Sequence, residues 1–338
     1  MSGPASTHPS LGVGLFGTEP AARMVELALC AETCGFETAW MGDSQNIWRE
    51  AYVTLGAAAP ATSTLQLGTG VTNAVTRHPS VLASAWATLA ELAPGRVAFA
   101  IGTGDSSLRT MGLAPPTVVE LEQRILQLRR LLAGDEVVED ATGGRYRLHF
   151  APDQHVPIYV AGASPRALRM AGRVADGVIA CVGVDRRLVD SALAHVAAGA
   201  EETGRDPTSI RVVLWTAVAV EDDGDSARDL VRAFTASVVV PPLVGRLDPP
   251  EWSAIERIRE RYQYSDHMRT DAEHRLLVPD ELVSHFAVGG TPEDCRSQLR
   301  EILTYPIDQL ALVPFVPNGG DRGLLMQRLA TEVLEGLV

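Results

Sequence analysis

The chain contains no lysine. All 29 of its basic side chains are arginine, against 42 aspartates and glutamates, for a net charge of −13. This acidic balance argues against nucleic acid or an anionic membrane surface as a partner. The missing lysine itself reads as the codon usage of a GC-rich genome. Cysteine is scarce: Cys30, Cys34, Cys181 and Cys295 have no C-x-x-C spacing, which excludes a disulfide framework or zinc knuckle and suits free thiols in a reducing compartment. No apolar run is long enough to span a bilayer, and no charged segment leads into an apolar signal core. A cytoplasmic protein is expected. Several motifs are also absent. There is no Walker loop, no G-x-G-x-x-G after the first strand and no G-x-S-x-G elbow, and no histidine stands at metal-ligand spacing to a carboxylate cluster. No metal site is expected.

The 338 residues, 46% of them hydrophobic, are enough to bury a large core. Short apolar runs alternate with amphipathic helices. The runs at Gly12–Phe16, Thr38–Met41, Leu65–Thr69, Val97–Ile101, Ile158–Val160, Val178–Cys181, Val212–Val218 and Gln309–Pro314 predict eight strands. Thr18 with Pro20, His78-Pro79, Ser164-Pro165 and Thr291-Pro292 mark helix starts. Leu121, Ile125, Leu128 and Leu132 recur at helical spacing over Val118–Leu132. Alternating strands and helices force parallel pairing, and eight units favour a closed (β/α)8 TIM barrel, an α/β fold, over an open sheet. Residues 1–10 read as a flexible tail and 11–338 as one barrel domain. Glu136–Phe150 reads as a surface hairpin. Ala233–Gly290, between the seventh and eighth strands, is an insertion long enough to form a lid over the barrel's C-terminal face.

The C-terminal ends of these strands carry the polar groups, where a parallel barrel places its site. Glu19 follows the first strand, and Asp43 and Ser44 the second. Gly70, Val71, Thr72 and Asn73 follow the third, and Gly102, Thr103, Gly104, Asp105 and Ser106 the fourth. Gly162, Ala163 and Ser164 follow the fifth and run into a helix start whose free N–H groups suit a phosphate; Ser164 also fits a plain N-cap, and the two roles can coexist. Asp43 and Asp105 fit either a flat ligand or local turn capping.

The segments Glu37–Glu50, Leu67–Pro79, Gly95–Gly112, Pro157–Ile179 and Leu282–Cys295 resemble the luciferase-like flavin and deazaflavin oxidoreductases, and the branch related to methylenetetrahydromethanopterin reductase in particular. The resemblance implies coenzyme F420, with FMN as the alternative. It also implies hydride transfer between the deazaflavin C5 and a small-molecule substrate. Gly70-Val71 matches a bond that is often a non-prolyl cis peptide bulging against the cofactor ring. Asp43 and Asn73 match ring-contacting positions, and Gly102 and Thr103 lie on the same rim. Gly162, Ala163, Ser164 and Gly183 match phosphate loops. Asp105 matches an acidic position used for proton transfer, and Trp48 an aromatic wall of the substrate pocket, beside Glu19. Ser44 stands where several relatives carry a histidine. A hydroxyl does not titrate near neutrality, so reduction of a C=C or C=N bond fits better than alcohol oxidation. Two other readings remain open: a monooxygenase using reduced FMN from a separate flavin reductase, and a flavin-holding barrel without turnover. The family resemblance also implies a homodimer.

Overall fold

The computed structural model describes residues 8–139, 142–245 and 247–337. Nine parallel strands form one sheet: β1 (Ser10–Leu15), β2 (Thr38–Met41), β3 (Gln66–Thr72), β4 (Val97–Ile101), β5 (Ile158–Gly162), β6 (Gly177–Ala180), β7 (Arg211–Val220), β8 (Ala287–Gly290) and β9 (Gln309–Pro314). Eight of them close a (β/α)8 barrel in the order β1-β2-β3-β4-β5-β6-β7-β9, and β9 pairs back to β1. The ninth strand, β8, was not foreseen. Its AVGG sequence is too short to show a period, and it lies inside the stretch read as insertion. Arg211–Leu214 of β7 pair with β6, whereas Ala217–Val220 pair with β8, so one long strand serves two neighbours on the same side.

The helices are α1 (Ala21–Thr33), α2 (Ala51–Ala58), α3 (Pro79–Leu92), α4 (Asp105–Arg109), α5 (Val118–Leu132), α6 (Pro165–Val174), α7 (Arg186–Glu202), α8 (Gly224–Val239), α9 (Pro249–Arg261), α10 (Asp280–Phe286), α11 (Pro292–Ile302) and α12 (Arg322–Arg328). All four expected starts open helices, and three of them carry the expected side-chain cap. His78 and Ser164 cap α3 and α6 with their side chains, and Thr291 forms a capping box with Asp294 at α11. Thr18 caps nothing, because α1 starts from Pro20 without a side-chain cap. The surface hairpin pairs Val137–Val138 with Arg145–Tyr146. Of the expected tail, residues 1–7 lie outside the described residues, and Ser10 already belongs to β1. No helix among the described residues is long and apolar enough to cross a membrane.

Two indoles fill the barrel. Trp40 and Trp215 are both buried, and glycines on neighbouring strands make room for them. A Cβ on Gly14 would lie 2.7 Å from Trp215, one on Gly68 2.9 Å from Trp40, and one on Gly70 within 3.1 Å of both rings' residues. The Trp40 indole N–H donates to Gln309 Oε1 at 2.8 Å, so the one polar atom of that ring is satisfied in the interior. β3 runs past its expected end at Thr69 because a one-residue bulge at Gly70-Val71, joined by a cis peptide bond, restores pairing at Thr72.

Outside the barrel, α6 and α7 cross at backbone contact. A Cβ on Gly172 would meet Val196 O at 2.1 Å, and one on Gly199 would meet Arg169 O at 2.0 Å. An exposed helical glycine usually gains about 1 kcal/mol on becoming alanine. Here Gly199→Ala is expected to cost about 1–3 kcal/mol instead, because two helices must separate; urea unfolding midpoints read the sign directly.

Candidate active site

At the C-terminal end of the strands lies a cavity of about 330 Å³. One side is built almost wholly from backbone and small side chains: Gly70 and Val71 from the β3 bulge, Gly102 to Gly104 after β4, and Ala161 to Ser164 at the end of β5. Gly102 keeps this wall thin, since a Cβ there would lie 3.1 Å from Val71 Cγ2. Gly104 turns the chain into α4 with φ of +75°, and its Cα packs so closely on Asn73 that a Cβ would approach to 2.5 Å. At one end of the slot, Ser164 caps α6, its Oγ accepting from the Ala167 N–H at 3.3 Å.

Asp43 is buried at the end of β2 and fully engaged. Its Oδ2 accepts from Thr72 Oγ1 at 2.7 Å and from Arg77 Nη1 at 2.6 Å, and its Oδ1 from Gln45 Nε2 at 2.6 Å. Burial pushes its carboxyl above the ordinary value, against the Arg77 charge and the Thr72 hydrogen bond, which pull it down. Arg77 also pairs with Glu50 and lies 4.8 Å over the Tyr52 ring, so its own position is fixed from three directions. Beside Asp43, Ser44 and Ser106 share a hydrogen bond of 2.8 Å between their hydroxyls.

The opposite wall comes from the β1 and β2 ends and from the insertion. Trp48 stacks on Phe16 with centroids 4.4 Å apart and planes 5° from parallel. Pro241, Pro242, Tyr262, Tyr264, His267 and Met268 face them from the segment between β7 and β8. Tyr264 OH donates to Asp105 Oδ2 at 2.9 Å, while Arg109 holds the other oxygen. Tyr262 OH contacts His267 Nδ1 at 2.6 Å. Burial lowers the His267 imidazole to about 4 and, together with the adjacent Asp105 charge, raises the Tyr264 phenol to about 12. Both are neutral at pH 7.

Asp43, Ser44, Trp48, Gly70, Val71, Gly102, Thr103, Asp105, Gly162, Ala163 and Ser164 therefore meet around one cavity. Three residues expected there stand elsewhere. Asn73 is buried behind the wall, donating to Ser107 at 3.0 Å and accepting from the Val75 and Thr76 backbones, so it holds the loop. Glu19 is taken by Arg322 through bonds of 3.1 and 2.9 Å and ties α12 to the end of β1. Gly183, with φ of +87°, packs on the backbone of His285 and Phe286 at α10. In turn, Arg77, Tyr262 and Tyr264 were missed, and His267 was not expected at this site. The three insertion residues reach Asp105 and Trp48 across some 160 to 220 positions and leave no local pattern, whereas Arg77 was visible only as part of a helix-start sequence. Among the described residues no group of three or more His, Cys, Asp or Glu side chains is placed to hold a metal ion.

A parallel barrel with a glycine-walled slot on its C-terminal rim and an aromatic insertion across it defines an α/β-barrel enzyme of the cofactor-binding kind. Residues 3–308 match the family described as Luciferase-like monooxygenase; the chain belongs to that family and is an oxidoreductase. It is 29% identical over 321 residues to the 5,10-methylenetetrahydromethanopterin reductase of Methanolobus tindarius, covering 91% of this chain and 95% of the relative. It is 33% identical over 332 residues to the F420-dependent glucose-6-phosphate dehydrogenase of Beutenbergia cavernae, covering 93% of each. The solved structure of the F420-dependent tetrahydromethanopterin reductase from Methanopyrus kandleri shares the fold with a TM-score of 0.78 at 23% identity, over 98% of this chain and all of that one.

Arg77→Met leaves Asp43 buried without its cation, an expected loss of about 3 kcal/mol at neutral pH. Without Arg77 the folded state keeps the Asp43 proton to a higher pH than the unfolded chain does. Stability of this variant should therefore fall relative to the parent as pH rises from about 4 to 7, which denaturant titrations at several pH values measure. His267 gives the opposite slope. Its folded value of about 4 lies below the ordinary 6.5, so its contribution is present above pH 6.5 and lost as pH falls towards 4. The acid loss should be smaller in His267→Gln, compared by the same titrations.

Proposed function

We propose that the protein is an F420-dependent reductase or dehydrogenase that passes hydride between the deazaflavin C5 and a small organic substrate. The observation that carries this reading is the slot from the β3 bulge to the start of α6, in a chain similar over 93% of its length to a dehydrogenase named for F420. A glycine-lined wall admits a flat ring, and a ten-residue helix whose first turn borders the slot favours an anionic group at its N-terminus. The residues present thus fit the cofactor. Gly70, Val71, Gly102, Thr103 and Asp43 would hold its ring system, and Gly162, Ala163 and Ser164 its phosphate. When bound, the deazaflavin supplies or takes up a hydride at a carbon atom, a position that does not activate oxygen as FMN does.

The protein's own groups do the rest. Asp43 is fixed by Arg77, Thr72 and Gln45, so its carboxylate presents one orientation to the slot. The Ser44–Ser106 pair can relay a hydrogen bond but not titrate, which favours reduction of a C=C or C=N bond. Asp105, oriented by Tyr264 and Arg109, is the group placed to exchange a proton with substrate or water. Trp48, Phe16 and the insertion exclude water from the reacting face.

Titration of the purified protein with oxidised F420 and, separately, FMN tests the class, read by absorbance and by quenching of Trp48 and Trp215. Saturable F420 binding with much weaker FMN binding is expected; the reverse preference makes the protein an oxygen-using flavin enzyme. Asp105→Asn should lower turnover by roughly 100-fold with F420 affinity little changed, the size expected for loss of a general acid or base. Unchanged turnover removes Asp105 from proton transfer.

A further inference from the structure

The substrate side of the cavity has a chemical character of its own. Beyond the glycine-walled slot its surfaces are Phe16, Trp48, Tyr262, Tyr264, Met268 and the Pro241-Pro242 step. No arginine among the described residues lines it, and the chain has no lysine. The two carboxylates that do line it, Asp43 and Asp105, are already neutralised by Arg77 and Arg109. An anionic group brought here would lose its hydration and meet no cation, a cost that burial makes prohibitive. An uncharged, ring-sized molecule would bury apolar area against four aromatic residues instead.

One polar atom on that wall is unspent. The Tyr262 hydroxyl has His267 Nδ1 as its side-chain partner, at 2.6 Å, and directs its proton there. Were the imidazole to donate from Nδ1 instead, the buried phenol would hold a proton with no acceptor. The neutral ring therefore carries its proton on Nε2, and Nε2 has no hydrogen-bond partner among the described residues. The ring itself is steered by Trp48, 6.0 Å away, and by Tyr262. The result is a pre-oriented N–H donor among the aromatic residues of this wall.

We propose that the substrate is an uncharged cyclic enone, reduced at its C=C bond, whose carbonyl oxygen accepts a hydrogen bond from His267 Nε2. Tyr262 is then a positioning residue that fixes the tautomer, and Trp48 and Tyr264 are the apolar flanks that exclude phosphorylated and carboxylated molecules. The proposal rests on the reading of the slot as the F420 site, and it gives this chain a substrate of different charge from the sugar phosphate named for one of its relatives. A neutral imidazole that donates without titrating would polarise the carbonyl over a wide pH range.

The test uses the full chain saturated with oxidised F420 and reads binding, not turnover. Cyclohex-2-enone and glucose 6-phosphate are titrated separately and followed by saturation-transfer difference NMR. Saturable enone binding and no glucose 6-phosphate binding are expected. In His267→Phe the enone affinity should fall by about tenfold, the size of one lost hydrogen bond, while F420 affinity stays as in the parent. In Tyr262→Phe it should fall less, since the ring remains but its tautomer is no longer fixed. Saturable glucose 6-phosphate binding, or equal enone affinity in the parent and both variants, overturns the proposal. Failure of the parent to bind F420 in the first titration overturns the underlying reading instead. The two failures are thus told apart before any enone is added.

Discussion

Everything on the catalytic rim rests on how the barrel interior is filled. Two indoles occupy a space that neighbouring strands vacate by carrying glycine, and Trp215 forms part of the cavity floor. A barrel interior is a packed core, not a pore, so its upper layer sets the depth of any site above it. Had Gly14 or Gly70 carried side chains, Trp215 would be displaced and the floor would rise. The slot above β3 and β4 is thus a product of packing arithmetic several residues below it.

A second layer of dependence is electrostatic. Asp43 is buried where a carboxylate is costly, and the structure meets that cost with an arginine held by another carboxylate and by an aromatic face. Asp105 is treated alike, between Arg109 and the Tyr264 hydroxyl. Both acids are therefore positioned by residues outside the strands that carry them. For Asp105 one of these supports comes from the insertion. The lid and the rim are accordingly one construction, in which moving Tyr264 alters the surroundings of a residue on β4's loop.

Much of this was legible in the sequence, and the parts that were not share a physical cause. Strand–helix alternation and proline-marked helix starts gave the barrel, because burial periodicity and capping are local properties. Val118–Leu132 came out with its full extent, and the family resemblance, not any local pattern, marked Gly70-Val71 as the cis-peptide bulge. The strand Ala287–Gly290 escaped because four residues cannot display a period; only its partner on β7 makes it a strand. Glu19 and Asn73 were misplaced for a related reason. Each is polar and near a strand end, and only the tertiary neighbours Arg322 and Ser107 decide that they face away from the cavity. His267 was seen but weighed for metals, since sequence alone does not bring it to Trp48.

The divided pairing of β7 has a consequence for how such a protein can change. Because the chain leaves β7 through α8 and returns as β8 to pair with β7, the two strands that bracket α8 and the lid are held side by side by main-chain hydrogen bonds. Main-chain bonding is indifferent to side-chain identity, and lengthening a loop between fixed ends costs little, about 0.6 kcal/mol per doubling. The segment between residues 240 and 286 is therefore a cassette. It can be exchanged for one of another length and composition while the glycine-lined cavity wall on β3 to β5 keeps its backbone, with Asp105 then losing its Tyr264 partner. A single reducing scaffold could in this way acquire new substrates one cassette at a time.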